Sequence, residues 1–183
     1  RIMCDSNHSF DISRFGYVNL LPVQNKRSKD PGDSKQMVQW RKEFLNAGYY
    51  DKISDKISNI AVKCIENSSK GKMFSVVDAG CGEGYYLTKL AENCASSESN
   101  QSVQLCGLDI SKWAVQSAAK GNKLVQWLVA SNKAIPVAEQ SIDLIICAFG
   151  FPAYESFAKV LKPGGVLLMV DTCLLYTSPS PRD

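Results

Sequence analysis

"SVVDAGCGEGYYLTKL", residues 75–90, is the stretch on which the rest of the chain turns. An apolar run stops at an acid, Asp78. Gly80, Gly82 and Gly84 then alternate with Cys81 and Glu83, and an apolar-periodic segment opens at Tyr85. This pattern predicts a buried strand, a turn of nearly bare backbone and the start of a helix. Glycine at alternate positions lets a ligand approach the main chain with no Cβ in the way. A dinucleotide site uses G-x-G-x-x-G and leads a pyrophosphate onto the helix N-terminus. Here the spacing is G-x-G-x-G, and Asp78 just before it would repel a pyrophosphate. An acid at that place suits a cationic or amino-bearing ligand.

The segments around this turn alternate in the same way. "VQLCGLDI", "KLVQWLVA", "SIDLIICAF" and "GVLLMV" read as further strands. Between them, "YYLTKLAENCA", "KWAVQSAAK" (capped by Ser111) and "YESFAKVL" read as helices. Continuous apolar strands separated by helices indicate an α/β fold, a Rossmann-like doubly wound parallel sheet covered on both faces. In such sheets ligands sit beyond the carboxyl ends of the strands. Asp109 ends the second strand, where a carboxylate can accept the hydroxyls of a ribose. A ligand with a ribose, a positive charge and no phosphate is S-adenosylmethionine.

Upstream, residues 1–23 read as a small β-rich piece containing Phe10, Ile12 and "GYVNLLP". "KRSKDPGD" follows as a loop, since Pro31-Gly32 is strong turn chemistry. Ser34 is placed to cap a helix in which Met37, Trp40 and Phe44 share a face, ended by Gly48. A second helix from about residue 51 puts Ile53, Ile57, Ile60 and Cys64 at helical spacing. Residues 24–42 hold six basic side chains against two acids, a local +4 that exceeds the +3 of the whole chain. With Trp40 nearby, Lys26, Arg27 and Lys29 are candidate contacts for an RNA phosphate backbone.

The 183 residues suffice for one well-buried domain with a small appendage. No apolar run approaches the roughly 20 residues of a membrane span, so a cytoplasmic protein without membrane partners is expected. The chain opens on Arg1 and is expected to begin inside a longer reading frame, which leaves an organellar address open. Seven cysteines, an odd and scattered set, argue for a reducing compartment and against a disulfide framework.

"GYVNLLPVQNKRSKDPGDSKQM", then "RKEFLNAGYY", then "DAGCGEGYY" resembles the large-subunit ribosomal RNA guanine-N1-methyltransferases of the RlmA type, from about residue 4 to about residue 170. The glycine turn and "GLDIS" alone resemble the wider class of Rossmann-like S-adenosylmethionine-dependent methyltransferases. The resemblance implies cofactor contacts at Tyr50, Asp78, Gly80, Gly82, Glu83, Gly84, Asp109 and Ser131. It also implies an N-terminal zinc module, to which Cys4 and His8 of "CDSNH" contribute one pair of ligands; tetrahedral zinc needs four.

The domain reading is a partial zinc-ribbon-like module at 1–23, a basic loop and helix at 24–48, and the methyltransferase domain at 49–172. Residues 173–183, "CLLYTSPSPRD", match nothing in the family and are expected to be a non-native, disordered tail. The implied acceptor is guanine N1 in large-subunit ribosomal RNA, with Asp33 a candidate for the base that removes the N1 proton. As written, the chain is expected to bind cofactor but to turn over RNA poorly. Two rival readings are a small-molecule methyltransferase of the quinone or lipid type and a non-catalytic ribosome-assembly protein. A homodimer is left open.

Overall fold

A computed structural model describes residues 1–3, 6–21, 31–69, 71–96 and 101–172. Three short strands come first: β1 (Ile2–Met3), β2 (Ser9–Phe10) and β3 (Tyr17–Asn19). Two helices follow, α1 (Lys35–Asn46) and α2 (Asp51–Glu66). The remainder alternates: β4 (Phe74–Ala79), α3 (Tyr85–Ser96), β5 (Val103–Asp109), α4 (Lys112–Gly121), β6 (Gln126–Val129), β7 (Ile142–Ala148), α5 (Tyr154–Val160) and β8 (Leu161–Val170).

β1 and β2 form a two-stranded antiparallel ribbon. The main sheet has six strands in the order β3-β6-β5-β4-β7-β8, and every pairing in it is parallel. From β4 the chain builds outward through β5 to β6, beside the earlier β3, then returns to the other side of β4 for β7 and β8. That reversal puts a crevice at the carboxyl ends of β4 and β7.

Alternation along the strands splits the core in two. Val76, Leu144 and Ile146 face one cluster, with Ile57, Leu87, Leu90, Val115 and Trp127. Val77, Ile145 and Cys147 face the other, with Phe157 and Val160 of α5. The doubly wound α/β reading is thus correct. Cys81, Cys106 and Cys147 are buried and free, as small core hydrophobes.

Three local readings change. The strand in "GYVNLLP" pairs with β6 at Tyr17–Trp127, so it is the edge of the main sheet. Ser34 caps α1, accepting from the Met37 amide at 3.3 Å, but the buried residues of α1 are Val38 and Leu45. Met37, Trp40 and Phe44 are exposed. In α2 the buried face runs through Ser54, Ile57, Ser58, Ala61 and Ile65; Ile57 is buried as expected, and Ile53, Ile60 and Cys64 lie half-buried along its flank.

Trp127 fixes the close approach of the layers. It is 2% exposed, and its indole N–H donates to the Asn122 carbonyl at 2.9 Å. A Cβ at Gly84 would stand 2.4 Å from its ring, and one at Gly107 would stand 2.3 Å from it. Gly84 also has φ +83°, a conformation that a Cβ disfavours. Gly84→Ala should therefore destabilise the fold by about 2–4 kcal/mol in urea unfolding, from strain plus overpacking. Gly71→Ala, at φ +80° with nothing within 4 Å, should cost only about 1–2 kcal/mol. Equal losses at the two positions would mean that the indole contact is irrelevant.

Candidate functional site

A cleft of about 770 Å³ opens at the crevice where strand order reverses. Its floor is the turn Gly80–Glu83, between the end of β4 and the start of α3. Gly80 and Gly82 have φ +89° and +56°, and a Cβ at either would meet nothing closer than 3.6 Å. The main chain there is open toward the cleft, as a closely approaching ligand requires. Gly84 is different: it does not border the cleft, and its bare Cα serves the Trp127 indole.

Asp109 ties the turn to the second strand. One carboxylate oxygen accepts from the Gly82 amide at 3.0 Å, and the other from the Ser111 amide at 2.7 Å. Burial pushes its pKa up; the two amides and Arg41 pull it down, while Asp33 adds to the rise. Each oxygen keeps a further lone pair for a diol. Ser131 reaches the cleft from the loop after β6, where its hydroxyl accepts from the Lys133 amide at 3.3 Å and shapes the loop. The loop is anchored by the Ala130 amide, which donates to the Asp109 carbonyl at 3.0 Å.

Two acids lie around the turn without partners. Asp78 is 1% exposed, sits behind the cleft floor, and its Oδ2 has no hydrogen-bond partner among the described residues. Burial, with the Asp109 and Glu83 carboxylates, pushes its pKa up to about 8. Glu83 borders the cleft, and both of its carboxylate oxygens are buried and unpartnered. Burial raises its pKa, against the pull of its own backbone amide and of Arg41. Asp78 and Glu83 of the turn, with Asp109 at the end of β5, make a site that a bound positive charge would stabilise. With the open glycines and the remaining lone pairs of Asp109, these residues fit a cationic ligand that carries a diol, such as S-adenosylmethionine.

The N-terminal segment covers part of the cleft. Gly32, at φ +81°, packs onto Ile110 and Ser111, where a Cβ would come within 2.9 Å. The Ser111 hydroxyl donates to the Asp33 carbonyl at 2.7 Å. Asp33 lines the cleft and pairs with the Arg41 guanidinium. Tyr50 lines it too, edge-on to Phe44 at 5.6 Å and to Phe149 at 5.5 Å between ring centroids.

Of the expected cofactor residues, the cleft thus gathers Tyr50, Gly80, Gly82, Glu83, Asp109 and Ser131. Arg41, Phe44, Asn132, Lys133, Phe149 and Phe151 also line it and were not expected. The last two follow the carboxyl end of β7, a place that the sheet topology alone could have flagged.

Cys4, Lys26, Arg27, Lys29 and the tail 173–183 lie outside the described residues. His8 is exposed in the stretch between β1 and β2. Among the described residues no three His, Cys, Asp or Glu side chains converge as a metal site, so no step is assigned to zinc. No helix among them is long and apolar enough to cross a membrane.

Comparison with known proteins gives two family matches. Residues 1–29 match the RlmA N-terminal zinc-ribbon model, and residues 70–181 match a methyltransferase domain model. A protein of Micromonospora griseorubida, provisionally named a 23S rRNA (guanine-N(1)-)-methyltransferase, is 31% identical over 92% of this chain and 58% of its own length. The 23S rRNA (guanine(748)-N(1))-methyltransferase of Streptomyces fradiae is 29% identical over 92% of this chain and 56% of its own. The chain therefore spans somewhat over half the length of these relatives. A Methanococcus maripaludis crystal structure, provisionally described as an S-adenosyl-L-methionine-dependent methyltransferase, superposes with a TM-score of 0.56. It is 20% identical, covering 79% of this chain and 67% of that one, a likeness of fold.

Asp78 gives this site a pH signature. Its ordinary carboxyl value is 3.8, and in the folded chain it is about 8. Between those values the folded chain keeps a proton that the unfolded chain has released. Stability from this group is therefore complete below pH of about 4 and declines as pH rises toward 8. Asp78→Asn should flatten that decline and raise the melting temperature at pH 8 above the parent's. A parent and variant with parallel pH profiles from 4 to 8 would contradict the burial of an unpartnered acid.

Proposed function

The chain belongs to the methyltransferase-domain family, and from that premise we propose that it methylates N1 of guanine in large-subunit ribosomal RNA, with S-adenosylmethionine as donor. The observation that carries the acceptor is the order of matches along the chain. An RlmA-type N-terminal segment precedes the methyltransferase domain, and the similarity to the rRNA guanine-N1 enzymes runs through both. A small-molecule methyltransferase has no need of the RlmA-type segment matched at residues 1–29.

In this reading the cofactor supplies an electrophilic methyl group. Asp109 would accept from its ribose, and the bare backbone at Gly80 and Gly82 would leave room for it. The unpartnered carboxyls of Glu83 and Asp78 complement its positive charge. Gly84 acts through the Trp127 packing that sets the turn's height. The chain's contribution to rate is chiefly positioning, with nucleophile and methyl carbon brought to about 3–3.5 Å. Guanine N1 must lose a proton; Asp33, on the cleft wall and tied to Arg41, is proposed to take it or to orient the group that does. Lys26, Arg27 and Lys29 are proposed to hold phosphates of the RNA backbone, and Cys4 with His8 to contribute to a zinc site at residues 1–29. The zinc-ribbon match supports that last assignment.

The reading is tested by incubating the chain with unmodified rRNA and S-adenosylmethionine, then digesting the RNA and measuring 1-methylguanosine by mass spectrometry. Its appearance at one nucleotide, in the low yield expected of this chain, supports the reading; methylation of a quinone or lipid acceptor in its place would overturn it. By calorimetry, Asp109→Ala should weaken S-adenosylmethionine binding roughly tenfold to a hundredfold, the worth of charge-assisted hydrogen bonds. Gly82→Val, which fills the ligand's space, should abolish binding. Parental affinity in both variants would misplace the cofactor.

A further inference from the structure

We propose that Phe149 and Phe151 form the platform on which the acceptor nucleobase, extruded from single-stranded RNA, stacks at the β7 end of the cleft. This rests on the proposed RNA methylation and adds the residues that would recognise its acceptor.

The order of the strands gives the cleft a direction. With a ribose at Asp109, on β5, an extended ligand can run toward β6 and Ser131 or toward β4 and β7. Ile110 and Ser131, with no large ring between them, would leave the β6 side for the flat adenine. The charged end would then take the side of Gly80, beside the unpartnered acids. That would leave the β7 side, where Phe149 and Phe151 stand, for the acceptor.

The backbone there is held in an unfavourable form. Phe149 has φ +56°, in the left-handed region that bulky side chains avoid. It is fixed by its amide, which donates to the Val170 carbonyl at 2.8 Å. Gly150 is wedged beside it; a Cβ there would come within 3.1 Å of the Ala79 carbonyl and 3.3 Å of Cys147 Sγ. The Phe151 carbonyl accepts from Asn132 Nδ2 at 3.0 Å, which ties this loop to the one after β6. Strain of this kind persists where the surroundings enforce it, and it gathers at ligand sites.

What the strain achieves is the presentation of two rings. Phe149 touches the rings of Tyr50 and Tyr86, at 5.5 and 6.3 Å between centroids, yet stays 39% exposed. Phe151 is 92% exposed. Neither ring serves the core, and both lose hydrophobic free energy by facing water. Charge selects the occupant. Glu83 and Asp109 line the interior, and Asp33 neutralises Arg41 there, so the interior disfavours phosphate, while Lys133 stands on the exposed loop beside it. The portion of a polyanion that can enter is its uncharged base, leaving the phosphates outside. Aromatic stacking is the usual means of holding a base in that state.

The test uses the full chain, saturated with S-adenosylhomocysteine, and a single-stranded oligoribonucleotide carrying one 2-aminopurine. Binding by the parent should change the 2-aminopurine fluorescence, and an abasic residue in its place should weaken binding. Phe151→Ala and Phe149→Ala should each weaken binding roughly 5- to 100-fold, the range for loss of one stacked base. Phe149→Tyr should restore it. Phe149→Gly, which relieves the positive φ, should be at least as stable as the parent yet bind RNA as weakly as the alanine variant. Affinity for S-adenosylhomocysteine should stay within about twofold throughout.

Parental RNA affinity in the alanine variants, or an abasic oligonucleotide that binds as well, would overturn the stacking and leave the RNA reading standing. No RNA binding by the parent would overturn both. A parallel loss of S-adenosylhomocysteine binding would assign the two rings to the cofactor and sink the proposal.

Discussion

The contact between the Trp127 indole and two bare Cα atoms sets the height of everything above the sheet. Gly107 lets the ring lie against β5, and Gly84 lets the start of α3 come down onto it. Only with α3 at that height does the preceding turn bring the Gly82 amide to 3.0 Å from Asp109. That hydrogen bond closes the circuit between the first and second strands of the domain. The ring is itself located by one polar link, its N–H to the Asn122 carbonyl at the end of α4. The cofactor turn thus depends on a side chain from β6, a strand that enters the sequence some forty residues later.

This dependence explains which parts of the chain could be read from sequence and which could not. The strand–glycine–helix pattern and the acid at Asp109 are local signals, and the structure brings Gly80, Gly82 and Asp109 together. Gly84 carries the same local signal for another reason. A glycine that admits a ligand and one that admits an indole look alike until the partner from β6 is known. β3 is a similar case: three residues of edge strand find their register against Trp127 to Val129, far along the chain. Residues that contact distant partners carry no local trace of them.

α1 shows a different failure. Met37, Trp40 and Phe44 have the spacing of a buried helical face, yet the helix turns Val38 and Leu45 inward. The periodicity is real, but the face it marks looks outward, with Phe44 at the cleft and stacked on Tyr49 at 5.1 Å. Helical spacing reports that apolar side chains share a side; it does not report what that side meets. The same holds for Phe149, whose apolar neighbours in "IICAF" disguise a residue that leaves the core.

The buried acids behind the glycine turn place two selective pressures in opposition. Asp78 at 1% exposure with an unpartnered oxygen is a poor choice for an empty fold, and a neutral amide would suit that position better. A search for stabilising substitutions, guided by folding free energy alone, would replace it early. If Asp78 serves the cation as proposed, the property so gained would come at the expense of ligand recognition, since the discomfort of the carboxyl is what a cation would relieve. Thermostability and affinity are therefore not independent targets here, and a variant library scored only for melting temperature would drift toward a well-packed protein that has lost its ligand.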